Sequence, residues 1–247
     1  MPTARAQDFH RATNPFVESV LRLQPRIAAF DCDGTLWAGD AGERFFDWEL
    51  REPDVFPDER QREALSQFWR ARYAAYKRGE VDESTMCGEM VTLHKGFPES
   101  RLLEAAYRFF DEFFVQQIFP EIRELITRLR DQGCDIWVVS SSNEWVIRAG
   151  MKHFDIPPNR ILAAAVEIDN GIVTDRLIRV PSGPGKTDAL RDVVRKPIDA
   201  AFGNARWDAE MLAFAKHAFA VNPNPDLESL AQQRGWTTYF PESTRSR

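Results

Sequence analysis

The chain has 247 residues, which suits one large domain carrying an insertion. With 43% hydrophobic residues, 12% aromatics and a formal net charge of −6, it can fill a sizeable core but has no basic surplus for nucleic acid. Three cysteines (Cys32, Cys87, Cys134) with no Cys-x-x-Cys suggest neither a disulfide framework nor a zinc site.

Residues 1–13 read as loosely attached and lack the apolar core of a signal peptide. No apolar stretch approaches the roughly 18 residues of a membrane span. A soluble cytoplasmic protein is the expectation, and nothing bears on its oligomeric state. Asn14-Pro15 starts a helix with an apolar stripe of Phe16, Val17, Val20 and Leu21, stopped by Pro25. Residues 27–30 are a short uncharged apolar run, as expected of a strand buried on both faces. From residue 37 to 118 the pattern is helical throughout. Residues 58–78 carry Leu65, Phe68, Trp69, Tyr73 and Tyr76 at helical spacing, with Gly79 as C-terminal cap. Asp82 caps a second helix bearing Met86, Met90 and Val91, and Pro98 opens a third with Leu103, Ala106, Tyr107 and Phe110 on one face. These aromatics are expected to form the core of a small helical bundle. From Pro120 an α/β rhythm sets in: a helix, a buried strand over 135–139, a further helix, and a hairpin over 161–180 turning at Asp169-Asn170-Gly171. Helices at 186–195, 207–215 and 225–234 then alternate with strands at 198–202, 217–221 and 236–240. Such alternation implies a Rossmann-like, mainly parallel sheet with helices on both faces. The expected organisation is an α/β core of residues 1–36 and 119–247, interrupted by a helical cap over 37–118.

In an open parallel sheet, ligands collect at the carboxyl ends of the strands. The first strand ends in Asp31-Cys32-Asp33-Gly34-Thr35. Side chains in extended chain repeat every two residues, so Asp31 and Asp33 leave on the same side. Two adjacent carboxylates are costly without a cation, and a hard ion such as Mg²⁺ offsets that cost. The second strand ends in Ser140-Ser141-Ser142, where a hydroxyl or the next helix's N–H groups can hold a phosphoryl oxygen, or merely cap the helix. Lys186 opens a helix after Pro181-Ser182-Gly183-Pro184-Gly185, against the helix dipole, which an adjacent anion would explain. A fourth strand end runs into Gly203-Asn204-Ala205-Arg206-Trp207-Asp208. The four histidines (His10, His94, His153, His217) show no metal spacing.

Asp-x-Asp-Gly-Thr after a buried strand resembles the first motif of the haloacid dehalogenase-like phosphohydrolases, and Ser140, Lys186 and the Asn204–Asp208 turn resemble the other three. The cap placed after the first motif and Ala220-Val221-Asn222-Pro223 resemble the phosphoserine-phosphatase-like branch. The resemblance implies Asp31 as nucleophile, Asp33 as acid/base, Ser140 and Lys186 as phosphoryl-stabilising groups, and backbone N–H groups near Cys32 and Ser141 as further donors. It implies Mg²⁺ held by Asp31, Asp33, Asn204 and Asp208. The family commonly has an acid at position 204, so which of Asn204 and Asp208 touches the metal stays open. The implied activity is hydrolysis of a small phosphate monoester through an aspartyl-phosphate, with no nucleic-acid or membrane partner. A phosphotransferase using the same intermediate, or a catalytically weak phosphate-binding protein, are the alternatives. Asp40 lies near the position of an amine-binding acid in the phosphoserine phosphatases, and Glu43 is close by, so a phosphoserine- or phosphocholine-like substrate is implied. Trp37, Phe45, Phe46 and Trp48 either box a quaternary ammonium or pack the base of the cap, the commoner outcome. Arg70, Arg72 and Arg78 either bind a substrate carboxylate or are solvated.

Overall fold

The computed structural model describes residues 14–244, so the loose start expected over 1–13 lies outside the described residues, as do the last three positions. Asn14 opens α1 (Pro15–Leu21) by accepting from the Phe16 and Val17 N–H groups, and the stripe it starts is buried as expected. β1 (Ile27–Phe30) is buried at every position. Four helices follow: α2 (Ala41–Glu49), α3 (Glu59–Lys77), α4 (Glu83–Thr92) and α5 (Glu99–Phe109). Asp40, Asp58 and Asp82 cap the first three with their carboxylates. α6 (Pro120–Asp131), β2 (Asp135–Asn143), α7 (Glu144–Met151), β3 (Ile161–Asp169) and β4 (Ile172–Arg179) come next. The chain ends with α8 (Pro184–Val193), β5 (Ala200–Gly203), α9 (Ala209–Phe214), β6 (His217–Val221), α10 (Pro225–Arg234) and β7 (Thr237–Tyr239).

The seven strands form one sheet in the order β4-β3-β2-β1-β5-β6-β7, parallel except for β4. β4 returns on β3 through a tight turn in which Asn170 and Gly171 both take positive φ (49° and 80°), the geometry that gives a hairpin its right-handed twist. One face of the sheet packs on α8, α9 and α10 through Leu190, Met211, Leu212 and Leu227. The other packs on α1, α6 and α7, and its apolar cluster runs without a break into α2 and α5. Phe45, Phe46, Phe109 and Phe110 belong to that cluster along with Phe30 and Phe202, whose rings stack 4.1 Å apart.

Several expectations need correction. The aromatics of residues 37–118 do not form a bundle core of their own; they extend the core beneath the sheet. α2 falls in the stretch read as helical but had not been delimited; its apolar side is Phe45, Phe46, Trp48 and two small residues over nine positions. Along α5 the buried positions are Leu102, Ala105, Ala106 and Phe109, with Leu103 and Tyr107 flanking them. On α3 only Trp69 is buried, and Phe68 is 56% exposed. β2 runs four residues further than expected and absorbs all three serines, with an irregularity in its pairing to β3 between Val139 and Asn143.

Candidate active site

The carboxyl ends of β1, β2 and β5 converge on a cavity of about 450 Å³, roofed by residues of α2, α3 and α4. At its floor lies a buried chain of charge. Lys186, in the first turn of α8, donates from Nζ to Asp31 Oδ1 and to Asp208 Oδ1, each at 2.6 Å, and to the Val139 carbonyl at 3.3 Å. Lys186, Asp31 and Asp208 are 2%, 5% and 1% exposed. Burial opposes the charge on Lys186, but the two carboxylates overcome it and hold its pKa above the ordinary lysine value. Burial, then the Asp208 charge, push Asp31 up to about 7, and Lys186 pulls against them. Thr35 Oγ1 completes the setting of Asp31 by donating to Oδ2 at 2.9 Å.

Asp208 spends its second oxygen on the N–H groups of Asn204 and Ala205, both at 2.9 Å, which folds the 204–208 turn back on itself. The Asn204 side chain then lies directly over Gly34. A Cβ at Gly34, whose φ is +77°, would sit 1.8 Å from the Asn204 amide nitrogen, so both the turn and the close approach require glycine there.

Asp33 is held differently. Oδ1 accepts from the Ala41 N–H (2.6 Å) and Trp37 Nε1 (2.8 Å), and Oδ2 accepts from Ser142 Oγ (2.7 Å). Burial, then the charge of Asp40, push it up to about 7 despite those donors. A carboxyl poised there can give up or take a proton near neutrality.

Among the described residues, the cavity is lined by Asp31, Asp33, Asp40, Glu43, Glu83 and Asp208, against the two cations Lys77 and Lys186. Such an excess of negative charge would repel a phosphate dianion unless a cation accompanied it. Among the described residues no group of three His, Cys, Asp or Glu forms a cage for a metal by itself. One carboxylate with neutral oxygens suits Mg²⁺, which keeps several waters and takes few protein ligands, so the donor set fits that ion.

Of the residues expected at the site, Asp31, Asp33, Asp40, Glu43, Ser141, Lys186, Asn204 and Asp208 line the cavity. Ser140 does not: its hydroxyl is buried and accepts from the Ser142 N–H, because the strand continues through it instead of ending there. The Cys32 side chain is fully buried in the core, leaving its backbone alone for any ligand. The carboxylates of Asp33 and Asp208, expected on a metal, each accept three hydrogen bonds from the donors named above, against two for Asp31. Trp37, Phe45 and Phe46 are fully buried packing residues, and Arg72 and Arg78 pair with Glu89 and Glu80 away from the cavity. The sequence reading missed Thr35, Ser142 and Asn222, which donates to the Gly34 carbonyl at 3.2 Å, and Tyr73, Tyr76 and Glu83 in the roof. Thr35, Ser142 and Asn222 stand at or just beyond strand ends already in view; the roof residues carried no motif.

Residues 28–213 match the family model of the haloacid dehalogenase-like hydrolases. A Mycobacterium leprae protein named only as a hydrolase is 25% identical over 94% of this chain and 81% of its own length. The histidinol-phosphatase of Neisseria meningitidis is 24% identical over 85% of this chain and 96% of its own. The phosphoserine phosphatase SerB1 of Mycobacterium tuberculosis is 26% identical over 58% of this chain and 47% of its own. A solved phosphoserine phosphatase, caught as an analogue of its phospho-aspartyl intermediate, superposes with a TM-score of 0.58 at 15% identity over 88% of this chain and 93% of that one, which speaks for the fold. This chain belongs to the haloacid dehalogenase-like hydrolase family. Within it, the chain stands with phosphatases, the name that two of these relatives bear. No helix among the described residues is long and apolar enough to cross a membrane.

Proposed function

We propose that the protein hydrolyses a small amine-bearing phosphate monoester in two steps, with Asp31 as the group that carries the phosphoryl. The observation that supports this best is the buried Asp31–Lys186–Asp208 chain, with 2.6 Å contacts on both sides of the ammonium. That arrangement holds Asp31 against the ammonium, while Asp33, two residues on, accepts from neutral donors instead. Asp31 attacks phosphorus in line and the ester oxygen leaves, taking a proton from Asp33. Asp33, now a carboxylate, draws a proton from the water that splits the aspartyl-phosphate and restores Asp31. Lys186 and N–H groups around Cys32 and Ser141 offset charge on the phosphoryl oxygens, so the work is positioning and neutralisation. Ser141, which lines the cavity, is better placed than Ser140 to donate a hydroxyl.

Asp31 and the Asn204 amide oxygen are the side chains we assign to Mg²⁺. When bound, the ion supplies the positive charge that lets a phosphate approach this acid-rich floor. Asp208 orients Lys186 and the Asn204 turn. The helical layer serves as a cap that shields the site from water, and Asp40 and Glu43 face the end of the ester remote from phosphorus. Release of phosphate from p-nitrophenyl phosphate should need Mg²⁺, stop on chelation and be abolished in Asp31→Asn with the fold intact. Substantial hydrolysis by that variant would remove Asp31 from its role.

A further inference from the structure

The roof of the cavity is unusual in its charge. Among the described residues it presents Asp40, Glu43 and Glu83 with one cation, Lys77, which lies over the rings of Tyr73 and Tyr76 at 4.9 and 5.7 Å, and no arginine of those residues lines the cavity. Glu83 stands out among the three acids. It is the first residue of α4 and 8% exposed; burial pushes its carboxyl pKa up, while the nearby Ser141 on β2 and Ser182 before α8 pull it down. Its Oε2 is buried with no hydrogen-bond partner. A buried carboxylate oxygen without a donor is expensive, and an incoming N–H would relieve that cost. Tyr73, Tyr76, Met86 and Met90 line the same cavity with the faces and soft surfaces that accept an organic ammonium. A substrate carboxylate in the same place would meet three acids, with Lys77 over the two rings as the one cation of the described roof.

Building on the phosphatase reading, we infer that Glu83 sets specificity, and that the enzyme takes amino-alcohol phosphates, which pair an ammonium with no carboxylate, in preference to phosphorylated amino acids. The ammonium donates to Glu83 and its acid neighbours while the phosphate faces Asp31. A carboxylate beside the ammonium forfeits that gain, so phosphoserine becomes a poor substrate although a relative of this chain bears its name.

Steady-state kinetics on O-phosphoethanolamine, glycerol 1-phosphate and O-phosphoserine, in wild type and Glu83→Gln, decide the matter. Wild type should favour phosphoethanolamine over both others. Glu83→Gln keeps the size of the side chain and its reach to the serines but loses the charge. In it, the ratio of kcat/KM for phosphoethanolamine to that for glycerol 1-phosphate should fall about tenfold, the worth of one charge-assisted hydrogen bond, through KM more than kcat. A Glu83 that merely latches the roof to Ser141 and Ser182 would lower both values together; an unmoved ratio therefore overturns the inference. So does a wild type that prefers phosphoserine. If no ester releases phosphate in wild type, the phosphatase reading falls first and the inference with it. Hydrolysis of all three esters at equal rates removes this inference alone.

Discussion

At the scale of single residues, two aspartates two positions apart do different work because their partners differ. Asp31 faces a buried ammonium, while Asp33 faces three neutral donors and no cation. Asp33 is the group whose proton should be visible in turnover. Its substitution in Asp33→Asn removes the acid and the base but leaves the attacking carboxylate. p-Nitrophenolate leaves without help from an acid, so this variant should release about one equivalent per enzyme in a rapid burst and then stall, read by stopped-flow absorbance. Lys186 makes a stability prediction with a definite sign. Its charge lowers the pKa of Asp31, which burial has already raised above the ordinary 3.8. Without it Asp31 sits still higher, and a carboxyl raised in the folded state contributes stability below its unfolded pKa that is lost as pH climbs through the folded one. Lys186→Met should therefore lose more stability at pH 8 than at pH 5, by about 1.4 kcal/mol for the one pH unit above 7, measured by urea unfolding at each pH. A loss independent of pH would mean that packing, not charge, is what Lys186 supplies.

At the scale of elements, most of the site was legible because it obeys one rule: in a parallel sheet, chemistry collects where strands end. β1, α8 and the turn after β5 each announced themselves by an acid, a lysine or an amide out of place. The second strand did not, since three serines are as compatible with extended chain as with a turn, and pairing with β3 decided the matter. The bounds of α2 were not legible for a related reason: nine residues with three large apolar side chains bunched over four positions carry too little period to delimit a helix. Glu83 could not be found at all, because its role depends on α4 lying across Ser141 and Ser182, a placement no local pattern encodes. The strand ends are held by the layers behind them. Phe202 of β5 stacks between Phe30 of β1 (4.1 Å) and Phe219 of β6 (4.8 Å), fully buried. Phe202→Ala should cost about 3–5 kcal/mol, a fall of roughly 6–20 °C in Tm for a chain of this size, seen by calorimetry. A fall under about 3 °C would show that the sheet repacks around the gap.

Across the whole molecule, the helical layer is attached unevenly. α5 buries Leu102, Ala105, Ala106 and Phe109 and is continuous with the main core, and α2 buries Phe45 and Phe46 in it. Residues 96–99 are stitched to the hairpin by hydrogen bonds of Gly96, Phe97 and Glu99 with Val173 and Gly171. α3, by contrast, is nineteen residues long and fully buries only Trp69. Amide hydrogen exchange within the helical layer should thus be faster in α3 than in α2 or α5, and slowest of all in β1 and β5, by orders of magnitude; equal protection across the layer would contradict this picture. The consequence reaches the traffic of molecules through the enzyme. With α2 and α5 continuous with the core, α3 is the helix of the layer least tied to the sheet, so any opening of the cavity would cost least there. Tyr73 and Tyr76 ride on that helix, so such an opening would carry part of the cavity lining with it.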